Sequence, residues 1–365
     1  MKRHRWPGDL GRGAILLAVG SAGALLGQAL DLPAGVILGA LLSSGIYRLA
    51  GGDAGPWRGR YGQFGRLLLG TVIGAAFGPD VIAPLQAALL PMMVVTAVIV
   101  GAGLALGWAL AHFTQLDITT ALISTVPGGL PAMLAMAEEL KADTTVAAAI
   151  HFSRLTTILL AVPALVPLLA STHGAATATI PLTEPLGLWR TGAVLALGAL
   201  GGLLALRVGV PTGDMIGPIL IVGGANLLGA GLGPLVPGLR QAAMLLIGTA
   251  VGAQMSRQSL QRLRKVALPA AVIILVLIVL GLLLGQALAL VAPLDLTTAL
   301  LSSVPGGAST MPAIAHDLGG DMRLVAALHL TRQLVIFILV PSLLGDLLRG
   351  QRQKRIATAK PACNK

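Results

Sequence analysis

Charge is scarce in this sequence. Asp, Glu, Lys and Arg make up 11% of its 365 residues against 55% apolar ones, and a soluble chain of that length needs far more charge to stay in solution. Cysteine is nearly absent. The single Cys363 sits at the end of the chain, which excludes a disulfide framework and a thiolate metal site. Aromatic residues amount to 3%, so no aromatic-lined pocket can be read from the sequence. The six histidines, at 4, 112, 151, 173, 316 and 329, include no pair at close ligand spacing, which argues against a clustered imidazole metal centre.

Long apolar runs fill the space that charge leaves. Leu89 to His112 and Ala270 to Ala292 reach the ~20 residues that a bilayer-spanning helix needs. The 48 glycines permit close helix packing in lipid. These features describe an all-α, polytopic membrane protein. The net charge of +11 does not point to nucleic acid, because the basic residues lie in short ends and loops beside apolar segments. They are Lys2, Arg3, Arg5 and Arg12, the loop from Arg48 to Arg66, the loop from Arg257 to Lys265, and the tail from Arg349. Cytoplasmic Lys and Arg occupy such places.

The chain also repeats itself with a shift of 178 residues. Leu116-Asp-Ile-Thr-Thr-Ala-Leu-Ile-Ser-Thr-Val-Pro-Gly-Gly129 returns as Leu294-Asp-Leu-Thr-Thr-Ala-Leu-Leu-Ser-Ser-Val-Pro-Gly-Gly307, with 11 of 14 positions identical. The same shift carries Pro33 to Pro211, Gly39 to Gly217, His151 to His329, Arg154 to Arg332 and Pro163 to Pro341. The organisation expected is a first transmembrane repeat over 1–170, a linker over 171–188, a second repeat over 189–348 and a basic cytoplasmic tail over 349–365. The basic, then apolar, start of the chain has the look of a signal peptide. However, Gly20, Gly23, Leu25 and Leu26 recur at Gly198, Gly201, Leu203 and Leu204, so the first segment is expected to be a retained helix.

Each repeat contains six apolar segments. In the first they run from about Gly13 to Leu30, Pro33 to Ala50, Phe64 to Gly78, Ala83 to His112, Asp117 to Leu140 and Thr144 to Ala170. Loop charges contrast between the halves. Arg48, Arg58, Arg60 and Arg66 face only Arg240 in the second repeat, and Asp80 faces Arg257, Arg262, Arg264 and Lys265. This is the pattern of two repeats inverted in the membrane, and inversion requires an odd number of crossings. One segment in six is then not an ordinary span. The fifth is broken by Pro127-Gly128-Gly129 into halves of ~10 residues, ~15 Å each, which favours a re-entrant hairpin over a broken crossing helix. Ten crossings leave both termini in the cytoplasm.

Irregular backbone at membrane depth survives where it lines a cavity or is buried in protein, and half-helix ends there can hold ions. The candidate substrate site therefore comprises Ser124, Thr125, Pro127, Gly128 and Gly129 with Ser302, Ser303, Pro305, Gly306 and Gly307. To it are added His151, Arg154, His329 and Arg332, each His and Arg three apart on one helix face. Arg154 lies ten residues past Thr144, ~15 Å along the helix. A charge at that depth costs ~2.5–3.5 kcal/mol or more unless paired, which marks a functional candidate. The structural alternative pairs the two arginines with Glu139 and Asp317, or with carbonyls; Asp143 and Asp321 share their helix faces. Asp117 and Asp295 open the broken segments, as helix caps or as ion-coupling groups. Asp214 stands where the first half has Val36 and is a third ion-coupling candidate.

The doubled Leu-Asp-x-Thr-Thr-Ala-Leu-x-Ser-x-Val-Pro-Gly-Gly block and the His-x-x-Arg helix resemble the AbrB family of bacterial membrane proteins, over about Gly11 to Asp346. That family often carries an ammonia monooxygenase label and shares its name with an unrelated soluble DNA-binding regulator. The resemblance implies an internally duplicated, multi-pass protein of the bacterial inner membrane. The residues themselves favour a secondary transporter over an enzyme, with the site at the midplane between the repeats. The substrate expected is a small organic anion, driven by H+ or Na+, with no cofactor, no metal and no nucleic acid, the lipid bilayer as partner, and a homo-oligomer as one assembly open to it. A non-transporting membrane regulator or scaffold, or a channel, is the alternative.

Overall fold

The computed structural model describes residues 6–171, 187–210, 212–233, 235–236, 238–257, 261, 267–336 and 339–340. The expected linker (apart from its ends), the basic tail, and Arg262, Arg264 and Lys265 of the second basic loop lie outside the described residues. The described chain is all α, with no strand. Seven helices come from the first half: α1 (Trp6–Ala29), α2 (Gly35–Leu49), α3 (Trp57–Ala76), α4 (Ile82–Phe113), α5 (Ile118–Thr125), α6 (Leu130–Glu139) and α7 (Thr144–Ser171). The second half supplies α8 (Leu188–Arg207), α9 (Gly213–Ala225), α10 (Leu239–Gly252), α11 (Ala267–Val291), α12 (Leu296–Ser303), α13 (Thr310–Ala315) and α14 (322–336). Six of the described helical stretches are long and apolar enough to cross a membrane. This is a polytopic, all-α membrane protein.

Two groups of helices result, and each draws on both halves. In the first, α1 packs on α2 and α8 on α9, while α3 packs on α9 and α2 on α10. Glycine permits these approaches: a Cβ on Gly39 would fall on the carbonyl of Gly23, and one on Gly217 on the carbonyl of Gly201. The two contacts are the same contact shifted by 178. Ala34 and Thr212, which open α2 and α9, share the same left-handed backbone at φ 56° and 52°. At the far ends of those helices, Arg48, in the last turn of α2, donates to the Ala253 carbonyl, and Asn226, its counterpart just past α9, donates to the carbonyl of Ala75.

Helix α3 and its counterpart α10 run in opposite directions. A Cβ on Gly62 would approach Ala250, and one on Gly65 would approach Ile247 and Ala243, so residue numbers rise along one helix as they fall along the other. By the same reading α3 is parallel to α9, since Gly70 faces Met215 and Gly74 faces Pro218 and Val222.

The second group holds the broken segments. Helix α4 packs on α5 and α11 on α12, again through glycine: Gly103 and Gly107 meet the α5 backbone at Thr125 and Leu122, Gly285 meets that of α12 at Leu300, and Gly281 meets Val304 just past its end. Each broken segment folds back on itself. The Thr120 hydroxyl, at the start of α5, accepts from the backbone N–H of Asp143 just after α6, at 2.8 Å, and Thr298 accepts from Asp321 at 2.8 Å. The outer ends of each helix pair are thus together and the Pro-Gly-Gly turn is at the tip. One pair starts just past the C-terminal end of α4. The other is tied to the N-terminal end of α4, because Arg323 bridges Asp321 to Asp80, in the turn that precedes α4. At 1.5 Å per residue, the 32 residues of α4 separate these ends by ~48 Å.

Among the loops, Asp53 between α2 and α3 ties the turn to α1 through Arg12 at 2.8 Å. Its carboxyl titrates below the ordinary range because it accepts the Gly55 N–H, with Arg12 and Arg48 adding to the effect.

Candidate functional site

The two tips come together around a cavity of ≈ 210 Å³. Pro127, Gly128 and Gly129 line it from one tip, and Pro305 and Gly307 from the other. His151 and Arg154 of α7 face His329 and Arg332 of α14 across it. All four side chains are buried, none more than 6% exposed.

Local chemistry dictates how each pair is held. Helix α5 ends at Thr125 because Pro127 has no N–H and forces Val126 into extended backbone, φ −62° and ψ 128°. The last carbonyls of the helix are left without intrahelical donors. Arg154 meets that need, donating from Nη1 to the carbonyls of Thr125 (3.2 Å) and Val126 (3.4 Å). Arg332 does the same at the end of α12, to Ser303 (3.1 Å), Val304 (3.3 Å) and Ser302 (3.4 Å). A guanidinium at a helix C-terminus also sits at the negative end of the dipole.

The histidine tautomers follow from the same contacts. His151 Nε2 lies 2.9 Å from the Ile123 carbonyl oxygen, which only accepts, so Nε2 carries the proton. Its bare Nδ1 accepts from Arg154 Nη2 at 3.0 Å. His329 repeats this, with Nε2 at 2.8 Å from the Leu301 carbonyl and Nδ1 at 2.6 Å from Arg332 Nη2. Neutral imidazoles thus fix two guanidiniums in place. Each guanidinium keeps its Nε–H without a partner among the described residues, and no carboxylate there pairs with Arg154 or Arg332.

Other sequence candidates are placed differently. The hydroxyls of Ser124, Thr125 and Ser302 turn back onto carbonyls of their own helices, and the buried Ser303 hydroxyl has no partner among the described residues. None of these four lines the cavity, and Gly306 packs against Met311 and Ile158. Short hydroxyl side chains on a helix reach the carbonyl four residues back more readily than a cavity. Asp117 and Asp295 cap α5 and α12, each accepting a threonine N–H at 2.8 Å, and neither borders the cavity. Asp143 and Asp321 cap the helices they precede and do not reach the arginines on the same face. Asp317 pairs with Arg240 instead of Arg332.

Asp214 is buried and holds Arg66 with both oxygens, at 3.1 and 3.0 Å from Nε and 2.5 Å from Nη2. Arg66 in turn lines the cavity, together with Thr212, Gln254, Gln333 and Ser309. The sequence does carry a signal for these five. Their equivalents in the other half are Met244, Ala34, Ala76, Leu155 and Pro131, so every one is a polar residue opposite a non-polar partner.

A family model described as "Transition state regulatory protein AbrB" matches residues 39–346. The chain is similar to "Uncharacterized protein YhjN" of Bacillus subtilis (strain 168), at 24% identity over 77% of this chain and 77% of that protein. It is also similar to "Putative regulator AbrB" of Escherichia coli (strain K12), at 25% identity over 86% of this chain and 90% of that protein.

Proposed function

The chain belongs to the AbrB family, and on that footing we propose that it is a secondary transporter whose substrate, a small organic anion, binds in the cavity between the two Pro-Gly-Gly tips. One observation carries the reading: two guanidiniums from equivalent places in the two halves line one cavity, and among the described residues neither is ion-paired with a carboxylate. Each is held by carbonyls and a neutral imidazole that leave an N–H donor over. A buried charge so arranged is a binding group for a counter-charge.

The antiparallel α3 and α10 and the back-folded tips support inverted repeats with re-entrant hairpins, the layout of many transporters. Coupling to H+ or Na+, a place in the bacterial inner membrane and cytoplasmic termini complete the proposal. No catalytic role is included, since both ring nitrogens of His151 and His329 are occupied by protein partners and so are not free to ligate copper.

A regulatory reading is favoured by one fact, the wording "regulator" in the names of the family and of one relative. A thermal-shift screen of the purified protein against small carboxylates, amino acids and amines, with and without sodium, tests the proposal. Stabilisation by carboxylates that disappears in Arg154→Gln is the expected result. A well-folded protein that no anion stabilises at any pH would remove the anion-carrier reading.

A further inference from the structure

Helix α3 crosses α9 in the same way that α10 crosses α2, so the chain contains its own control for the Arg66–Asp214 pair. At the equivalent positions stand Met244 and Val36, both buried in one apolar cluster. The crossing therefore packs without an ion pair. Taking two charges out of water is costly, and a buried pair seldom outperforms well-packed apolar residues. A pair found at only one of two equivalent crossings, and at the one bordering the cavity, is explained by the cavity.

Among the described residues the charges around Asp214 are few. From α3 it faces Arg66; from α8 it faces Gly202 and the apolar turn beside it, with Arg207 exposed at the helix end. Across the cavity stand His151 and Arg154 of α7 and His329 and Arg332 of α14. Arg66 is thus the single cation bound to a carboxylate among the three arginines of the cavity wall.

We propose that Arg66 is a substrate-binding residue which Asp214 and the substrate carboxylate share in turn, so that one proton is taken up with each anion bound. This rests on the anion-carrier reading above and deepens it. In the empty site the ionised Asp214 holds Arg66. An entering carboxylate takes over the guanidinium, and the abandoned Asp214, with its side chain 5% exposed, cannot stay ionised without a partner. It takes a proton from solution, forming an O–H bond, and the charge at Arg66 is balanced as before. Release of the anion returns Asp214 to Arg66 and frees the proton. The coupling ion is then H+, carried one for one with each carboxylate that Arg66 binds.

The test is equilibrium binding of succinate to the full-length protein in detergent at pH 7 and pH 8, where carboxylates in solution are ionised. One linked proton weakens wild-type binding about tenfold over that unit. In Asp214→Asn, Arg66 is free at both pH values, so binding tightens at pH 8 and loses its slope. In Arg66→Met/Asp214→Val, the pair of residues that α10 and α2 already carry, the protein folds, binding weakens about tenfold or more, and the slope is gone. A pH-independent wild type, or a slope that survives in Asp214→Asn, overturns the shared-arginine proposal while binding that depends on Arg154 leaves the cavity reading standing. Absence of succinate binding to folded wild type at either pH overturns both.

Discussion

Arg154 reaches across a single turn of α7 to the Nδ1 of His151, 3.0 Å away, and Arg332 repeats the contact to His329 in the other half. The histidine is the orienting member of each pair, since its proton is fixed on Nε2 by a carbonyl of the broken helix. Removing either arginine has two effects. The carbonyls at the ends of α5 or α12 lose their donor, at about 1–3 kcal/mol for a buried unsatisfied group, and the cavity loses a charge. Arg154→Gln and Arg332→Gln should each lower the thermal midpoint and weaken carboxylate binding tenfold or more. Thermal unfolding followed by binding at saturating protein distinguishes the two; unchanged binding in both variants contradicts the assigned role.

Gly39 and Gly217 lie where α2 and α9 touch the backbones of α1 and α8. Gly39→Ala and Gly217→Ala should each destabilise by about 1–3 kcal/mol, the cost of overpacking a close contact, and reduce the monodisperse yield. Gly192→Ala is the control, because a Cβ there meets nothing within 4 Å. Size-exclusion profiles and thermal midpoints decide between the three.

Asp117 and Asp295 cap the broken helices. Their Asn variants keep a capping oxygen and should leave any ion dependence of binding unchanged. Their Ala variants should lose about 0.5–2 kcal/mol of stability. An altered sodium or proton dependence in the Asn variants would restore the two aspartates as coupling groups.

The proposed inversion of the two repeats would put the outer turns of the two broken segments on opposite faces of the membrane. Lys141 and His316 are exposed at those turns. In a background with Cys363 replaced by Ser, Lys141→Cys should react with an impermeant thiol reagent only from the cytoplasmic face. His316→Cys should react only from the other. Labelling of both from one face would rule the inversion out.

Much of this architecture was legible in the residues. The break at Pro127 and Pro305 predicts where α5 and α12 end, and the shift of 178 predicts which contacts recur. The apolar segments from Pro33, Ala83 and Thr144 correspond to α2, α4 and α7 within a few residues. Helix α3 begins at Trp57 instead of Phe64, because Arg60 lies exposed on the helix with its guanidinium over the Trp57 ring, and a hydropathy pattern reads such a charge as loop. Arg66 illustrates the limit. Along the chain it closes a basic loop, and only the α3–α9 crossing, a contact across 148 residues, turns it into a cavity residue. The hydroxyls of Ser124 and Thr125 fail in the opposite direction, placed beside the site by sequence and turned away from it by the helix that carries them.

Flux is the most direct measure of the central claim. Purified protein in proteoliposomes, given radiolabelled succinate and an inward proton gradient, should show saturable uptake that collapses with the gradient and falls to the empty-liposome level in Arg154→Gln and Arg332→Gln. Folded, inserted wild-type protein that binds succinate yet moves none in either direction would contradict the account and make the cavity the sensor site of a membrane regulator.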